Sequence, residues 1–176
     1  MSATVELRVH HGGAPGLGVN ATGLTLRLKR ADNDVQDALS PVPVPAAGLE
    51  YSWRKSFRLV IVTAPDNAVY NLRFFADAGS LGAGRRILYA TSAAYVPATA
   101  ADETTPISAV DVQTLTSGSP ATLQPGELAN DTDTFPTAAG LAGSQDYVQL
   151  QMEVDSTASP GNSAGAISVR YRYDES

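Results

Sequence analysis

Two runs of strict alternation near the end of the chain limit most sharply what it can fold into. In residues 147–155, Val148, Leu150, Met152 and Val154 alternate with Gln149, Gln151, Glu153 and Asp155. In residues 166–173, Ile167, Val169, Tyr171 and Tyr173 alternate with Ser168, Arg170 and Arg172. A period of two is what a β-strand with one buried and one wet face requires, because successive side chains point to opposite faces. The Ser, Pro, Asn and Gly residues of 156–165 supply turn conformations between the runs. These two strands are expected to hold a sandwich together.

The rest of the sequence reads as more of the same. Val5, Leu7 and Val9 alternate with Glu6, Arg8 and His10, and the run His11-Gly12-Gly13-Ala14-Pro15-Gly16 breaks that strand. Leu24, Leu26 and Leu28 alternate with Thr25, Arg27 and Lys29, giving a second strand. Residues 31–47 form a long connection, in which 34–39 has room for one helical turn before Pro41, Pro43 and Pro45 forbid it. The Val/Pro alternation there reads as extended, polyproline-like chain along a sheet edge. Residues 51–63 are the longest strand candidate, with Tyr51, Trp53, Phe57, Leu59 and Ile61 on one face. Val60 and Val62 make its second half apolar on both faces, as in a covered central strand. A turn at 64–67, a strand at 69–76, a glycine-rich loop at 79–84 and a strand at 86–90 then read as a β-meander.

Between residues 98 and 145 large side chains are few, with one strand signal at 106–115 through Ile107, Val110 and Val112. A connection this long in a compact domain points to an extended loop or arm that orders against a neighbour. The expectation is an all-β chain, a single domain over 1–176. It is an immunoglobulin-like or jelly-roll sandwich of about seven to eight strands with long Ala/Thr/Pro-rich loops.

Charge and composition remove several functions. The net charge of −6 and pI near 4.7 argue against a surface that tracks phosphate backbones, so nucleic acid is not an expected partner. No cysteine is present, which excludes disulfides, thiolate metal sites and a cysteine nucleophile, and leans toward synthesis in the cytoplasm. The opening residues go straight into strand alternation rather than a basic and then apolar leader, so no signal peptide is expected. Apolar stretches are only a few residues long, and no membrane association is expected.

The motifs that could carry chemistry each fail on context. Gly161-Asn162-Ser163-Ala164-Gly165 matches a nucleophile elbow, but a strand rather than a helix follows, and the histidines stand at the other end of the chain. His10 and His11 are adjacent, so on a strand they point to opposite faces and cannot chelate one ion together. Asp32, Asp34 and Gln36 begin a calcium-loop spacing that Asp37 and Pro43 break, and Asp131 with Asp133 reads as solvated turn carboxylates. The glycine runs lack the spacing of a dinucleotide or phosphate loop, and Gly84-Arg85-Arg86 is too small a basic spot for nucleic acid. Tyr51 and Trp53 share a strand face with Phe57 and Leu59, which favours core packing over a sugar platform. No catalytic, cofactor-binding or metal-ligating residue is expected, and no enzyme.

A resemblance adds what the residue inventory lacks. It rests on Ser52-Trp53-Arg54-Lys55-Ser56-Phe57-Arg58-Leu59-Val60-Ile61, on Val69-Tyr70-Asn71-Leu72-Arg73-Phe74-Phe75, and on Leu88-Tyr89-Ala90-Thr91 ahead of Tyr95-Val96-Pro97. Its most specific part runs from Asp146-Tyr147-Val148 to Ser159-Pro160-Gly161 and closes on Tyr171-Arg172-Tyr173-Asp174-Glu175. Over residues 51–175, thinning between 99 and 145, the chain resembles small structural proteins of tailed bacteriophages. That resemblance implies a virion component, most simply a capsid decoration (cement) protein that binds the major capsid protein or other virion proteins as a homo-oligomer on the particle. A head–tail junction or tail protein is the alternative, and a host-glycan binding module is the alternative from another class. Segments 41–47 and 98–143 are the expected contacts.

Overall fold

The computed structural model describes residues 3–36, 39–63, 69–123, 146–160 and 165–175, leaving aside the side chains of 69 and 70. The strands are β1 (Thr4–His10), β2 (Val19–Asn20), β3 (Leu49–Tyr51), β4 (Lys55–Thr63), β5 (Val69–Gly79), β6 (Arg85–Ser92), β7 (Ala121–Thr122), β8 (Tyr147–Asp155) and β9 (Ile167–Glu175). Two short 3-10 turns, Ala100–Glu103 and Val112–Thr114, complete the regular structure of the described residues. The first sheet holds six strands, running β2, β1, β4, then β8, with β3 also beside β8 and β6 on its other edge; the second runs β7, β5, β9. The ladders between these strands are all antiparallel. The chain is thus an all-β sandwich, as its alternation requires.

The core fills the space between the two sheets. From the first sheet come Val9, Phe57, Leu59, Ile61, Ile87, Tyr89, Val148 and Leu150; from the second come Leu72 and Phe74, with Val169 and Tyr171 packed against them. From β4 onward the strands alternate between sheets: β4, β6 and β8 lie in the first, β5, β7 and β9 in the second. This corrects one expectation: the middle of the chain is not a meander. β8 and β9, the two strands of strictest alternation, lie in different sheets on either side of the core. Alternation records which side chains are buried, and it is silent on which strand lies alongside.

The expected strand at 24–28 is also corrected. Leu26 and Leu28 do pack on the core while Thr25 and Arg27 are exposed, yet Leu24 is exposed and Lys29 buried, and these residues join no sheet. Residues 41–45 likewise lie outside the sheets, with Val42 and Val44 half-buried between exposed Pro41 and Pro43. The long strand expected over 51–63 is broken. β3 and β4 occupy the same side of β8, and between their registers (Tyr51 with Glu153, Lys55 with Leu150) residues 52–54 stand opposite only 151 and 152. That extra residue is a bulge, a device that re-aims side chains locally. Ser52 fills the gap, its N–H donating to the Met152 carbonyl at 2.9 Å and its hydroxyl accepting from Met152 N–H at 2.9 Å.

β8 has no wet face, contrary to its polar alternation. Gln149, Gln151 and Glu153 are as buried as their apolar neighbours, with Gln151 wholly inaccessible. The cover is the segment following β6. Tyr95 packs its ring 5.7 Å from Tyr147, the 100–107 stretch bonds to Gln151, and 108–111 runs along β6, where Tyr89 N–H donates to Val110 O at 2.8 Å. The strand expected at 106–115 is this isolated contact followed by the 3-10 turn, which sends Val112 into the core at 0% exposure. The chain then crosses to the second sheet, where Ala76 N–H donates to Leu115 O at 2.9 Å and β7 pairs with β5. The first half of the expected arm is therefore a strap built into the body. The remainder, 124–145, lies outside the described residues.

Candidate functional site

The bulge at 52–54 aims three consecutive residues into a buried polar network beneath the strap. Arg54 pairs with Asp102, its Nη2 2.5 Å and its Nε 2.9 Å from Oδ1, while Arg54 N–H donates to Oδ2 at 3.2 Å. Thr99 N–H donates to the same carboxylate at 3.3 Å, so Asp102 closes its own 3-10 turn as well as gripping the sheet. Trp53 Nε1–H donates to Glu103 at 2.9 Å, and Arg30 reaches Glu103 at 3.1 Å, Glu50, and the Tyr51 carbonyl at 3.1 Å. Gln151 is the hub. Its Nε2 lies 3.1, 2.9 and 3.1 Å from the carbonyls of Ser52, Asp102 and Thr105, and its Oε1 accepts from Ile107 N–H at 2.9 Å.

These side chains bond to one another and to the strap backbone, so the network ties the strap to the sheet. Beside it, Glu153 sits between Arg86 (Nε 2.5 Å away) and the phenol of Tyr51, which the buried setting and the nearby carboxylate push above its usual pKa. Replacing Gln151 with leucine, which roughly keeps the volume but removes the amide donor and acceptor, is expected to cost about 1–3 kcal/mol through the backbone groups left unpaired. Urea denaturation measures that loss, and amide exchange should place it at Ile107.

A second cluster surrounds His10 at the other end of the same sheet face. His10 is 3% exposed, its ring edge-on to Tyr147 at 5.3 Å and 6.4 Å from Tyr95. Burial, chiefly, holds its pKa below 6.5, and Tyr95 is pushed up to about 12 by burial and by Asp32. His11 turns away toward Asp34 at 3.6 Å, as adjacent strand-end residues must. Asp32 accepts from Gly12 N–H at 2.6 Å, and the buried ammonium of Lys55 donates to the Asn33 carbonyl. The acidic turn at 32–34 thus wraps a lysine that the chain itself supplies.

The remaining sequence motifs resolve structurally. Ser163 and the Asp131/Asp133 pair lie outside the described residues. Gly165 of the elbow-like motif runs so close to the 80–81 backbone that a Cβ there would lie 1.7 Å from Ser80 O, a packing reason for glycine. Arg85 donates to the Ser159 carbonyl and Arg86 to Glu153. A surface depression of about 480 Å³ is lined by Ser80, Leu81, Arg85, Ser159 and Gly165, and among the described residues of its wall there is no carboxylate or imidazole. Among the described residues no three His, Asp or Glu side chains converge as metal ligands. Sequence reasoning missed Arg30, Arg54, Asp102 and Gln151. One signal for Asp102 was present, the Thr99-Ala100-Ala101-Asp102 spacing of a reciprocal cap. No family model, curated protein or solved structure matches the chain.

Proposed function

We propose that this chain is a structural protein of a bacteriophage particle, a capsid decoration (cement) protein that binds the outer shell. The observation that carries this reading is the resemblance over residues 51–175, above all in 146–161 and 171–175. The geometry accords with it. A two-sheet body whose connecting strap is tied down by the Arg54–Asp102 ion pair and the hydrogen bonds of Gln151 is suited to bearing load. The aromatic side chains of the described residues are buried or half-buried, which favours packing over a glycan-stacking platform. Binding confined to the assembled lattice would stabilise the shell by mass action, with no reaction involved.

The test is to add purified protein to shells that lack it and, separately, to unassembled shell subunits. Decoration predicts co-sedimentation with shells at a fixed ratio, little binding to free subunits, and a higher temperature for shell disruption. Saturation at a few copies per shell would move the protein to the head–tail junction, and no binding would overturn the reading.

A further inference from the structure

His10 holds a single hydrogen bond in a place where a protonated imidazole needs two. Its Nδ1 lies 2.8 Å from Pro15 O and so carries the proton and donates, while its Nε2 is buried with no partner. The loop of residues 11–18 closes over this ring. Gly18, at φ +69°, approaches so closely that a Cβ would lie 2.7 Å from the ring's Cε1. Three further tethers hold the loop: Tyr95 O–H to Gly12 O at 2.8 Å, Gly12 N–H to Asp32 at 2.6 Å, and Arg8 to Leu17 O at 3.1 Å.

We infer that residues 11–18 form an acid-released strap whose latch is the neutral imidazole of His10. A second proton would place an N–H where the buried Nε2 has no acceptor, and a charge among cations. The charged groups acting on the ring are Arg8 from β1, Arg58 from β4 and the adjacent His11. The other groups facing it are the phenols of Tyr147 from β8 and Tyr95 from the segment after β6. Asp32, from the 29–36 loop, acts on the tether at Gly12 rather than on the ring. Lifting the strap restores water to Nε2, so protonation and opening are linked. The sign follows from the ring's lowered pKa: between that value and 6.5 the open form binds more protons. The closed strap is at full stability above about pH 6.5 and loses up to about tenfold in closing equilibrium per pH unit below it. Release would also loosen β2, which pairs with β1 through Arg8–Asn20 and Val9–Val19 and follows the loop directly.

The experiment is amide hydrogen exchange on the full chain at pH 7.5 and pH 5.0, corrected for intrinsic rates, a window in which carboxylates with ordinary pKa values stay ionised. Residues 11–20 are expected to open at least several-fold more at pH 5.0 while β8 stays protected. His10→Phe, which fills the cage without titrating, should abolish the acid response, and His11→Gln should retain it. A flat wild-type profile, an acid response surviving in His10→Phe, or its loss in His11→Gln would overturn the proposal. The wild-type imidazole resonances test it without any variant: a His10 midpoint below 6.5 that coincides with the loop's opening supports it, and a midpoint at or above 6.5 sinks it.

Discussion

Asp102→Ala is expected to destabilise the protein by about 3–5 kcal/mol, because it leaves a partly buried guanidinium without its carboxylate. Asp102 is 1% exposed and accepts from the Arg54 side chain, from Arg54 N–H and from Thr99 N–H, so three donors lose their acceptor together. The urea midpoint should fall with little change in slope, the mark of lost stability rather than altered compactness. Protection at residues 99–107 should fall first, since those residues are held through Asp102 and Gln151. The double change Arg54→Met with Asp102→Leu removes both charges and should cost less than Asp102→Ala alone. A single-variant loss under about 1 kcal/mol would mean the strap is held by something other than this ion pair.

Phe74→Ala should be comparably damaging, at about 3–5 kcal/mol, for an apolar reason. Phe74 is 1% exposed and stands in the second sheet, stacked on Tyr89 of the first at 5.4 Å and 12°, with Tyr171 edge-on at 5.2 Å. Removing the ring opens a cavity where the two sheets meet. Tyr171→Phe offers a contrast in the same cluster. Its hydroxyl is buried with no hydrogen-bond partner, and burial pushes its pKa well up, so deleting it should be neutral or stabilising. Thermal denaturation of both variants checks the pair: a destabilised Tyr171→Phe would show that the hydroxyl is bonded in solution.

What was legible in the sequence was burial, and what was not was partnership. Val5, Leu7 and Val9, and again Phe57, Leu59 and Ile61, reach the core as their alternation requires. Leu26 and Leu28 obey the same rule without joining a sheet, because period two marks a side facing in and does not supply a neighbour to hydrogen-bond with. The polar half of β8 misled for the converse reason. Gln149, Gln151 and Glu153 read as solvent-facing, and only the strap, distant in sequence, turns that face into an interior. The bulge at 52–54 left no mark in an apolar pattern that passes through Tyr51 and Trp53 into Phe57. His10 was legible as a strand-end residue, but its cage assembles Tyr95 and Tyr147 from far along the chain.

The most direct test of the proposed role is the copy number of this protein in purified particles relative to the major shell protein, measured by quantitative mass spectrometry. Decoration predicts a near-stoichiometric ratio. Complete absence of the protein from the particles would contradict a structural role.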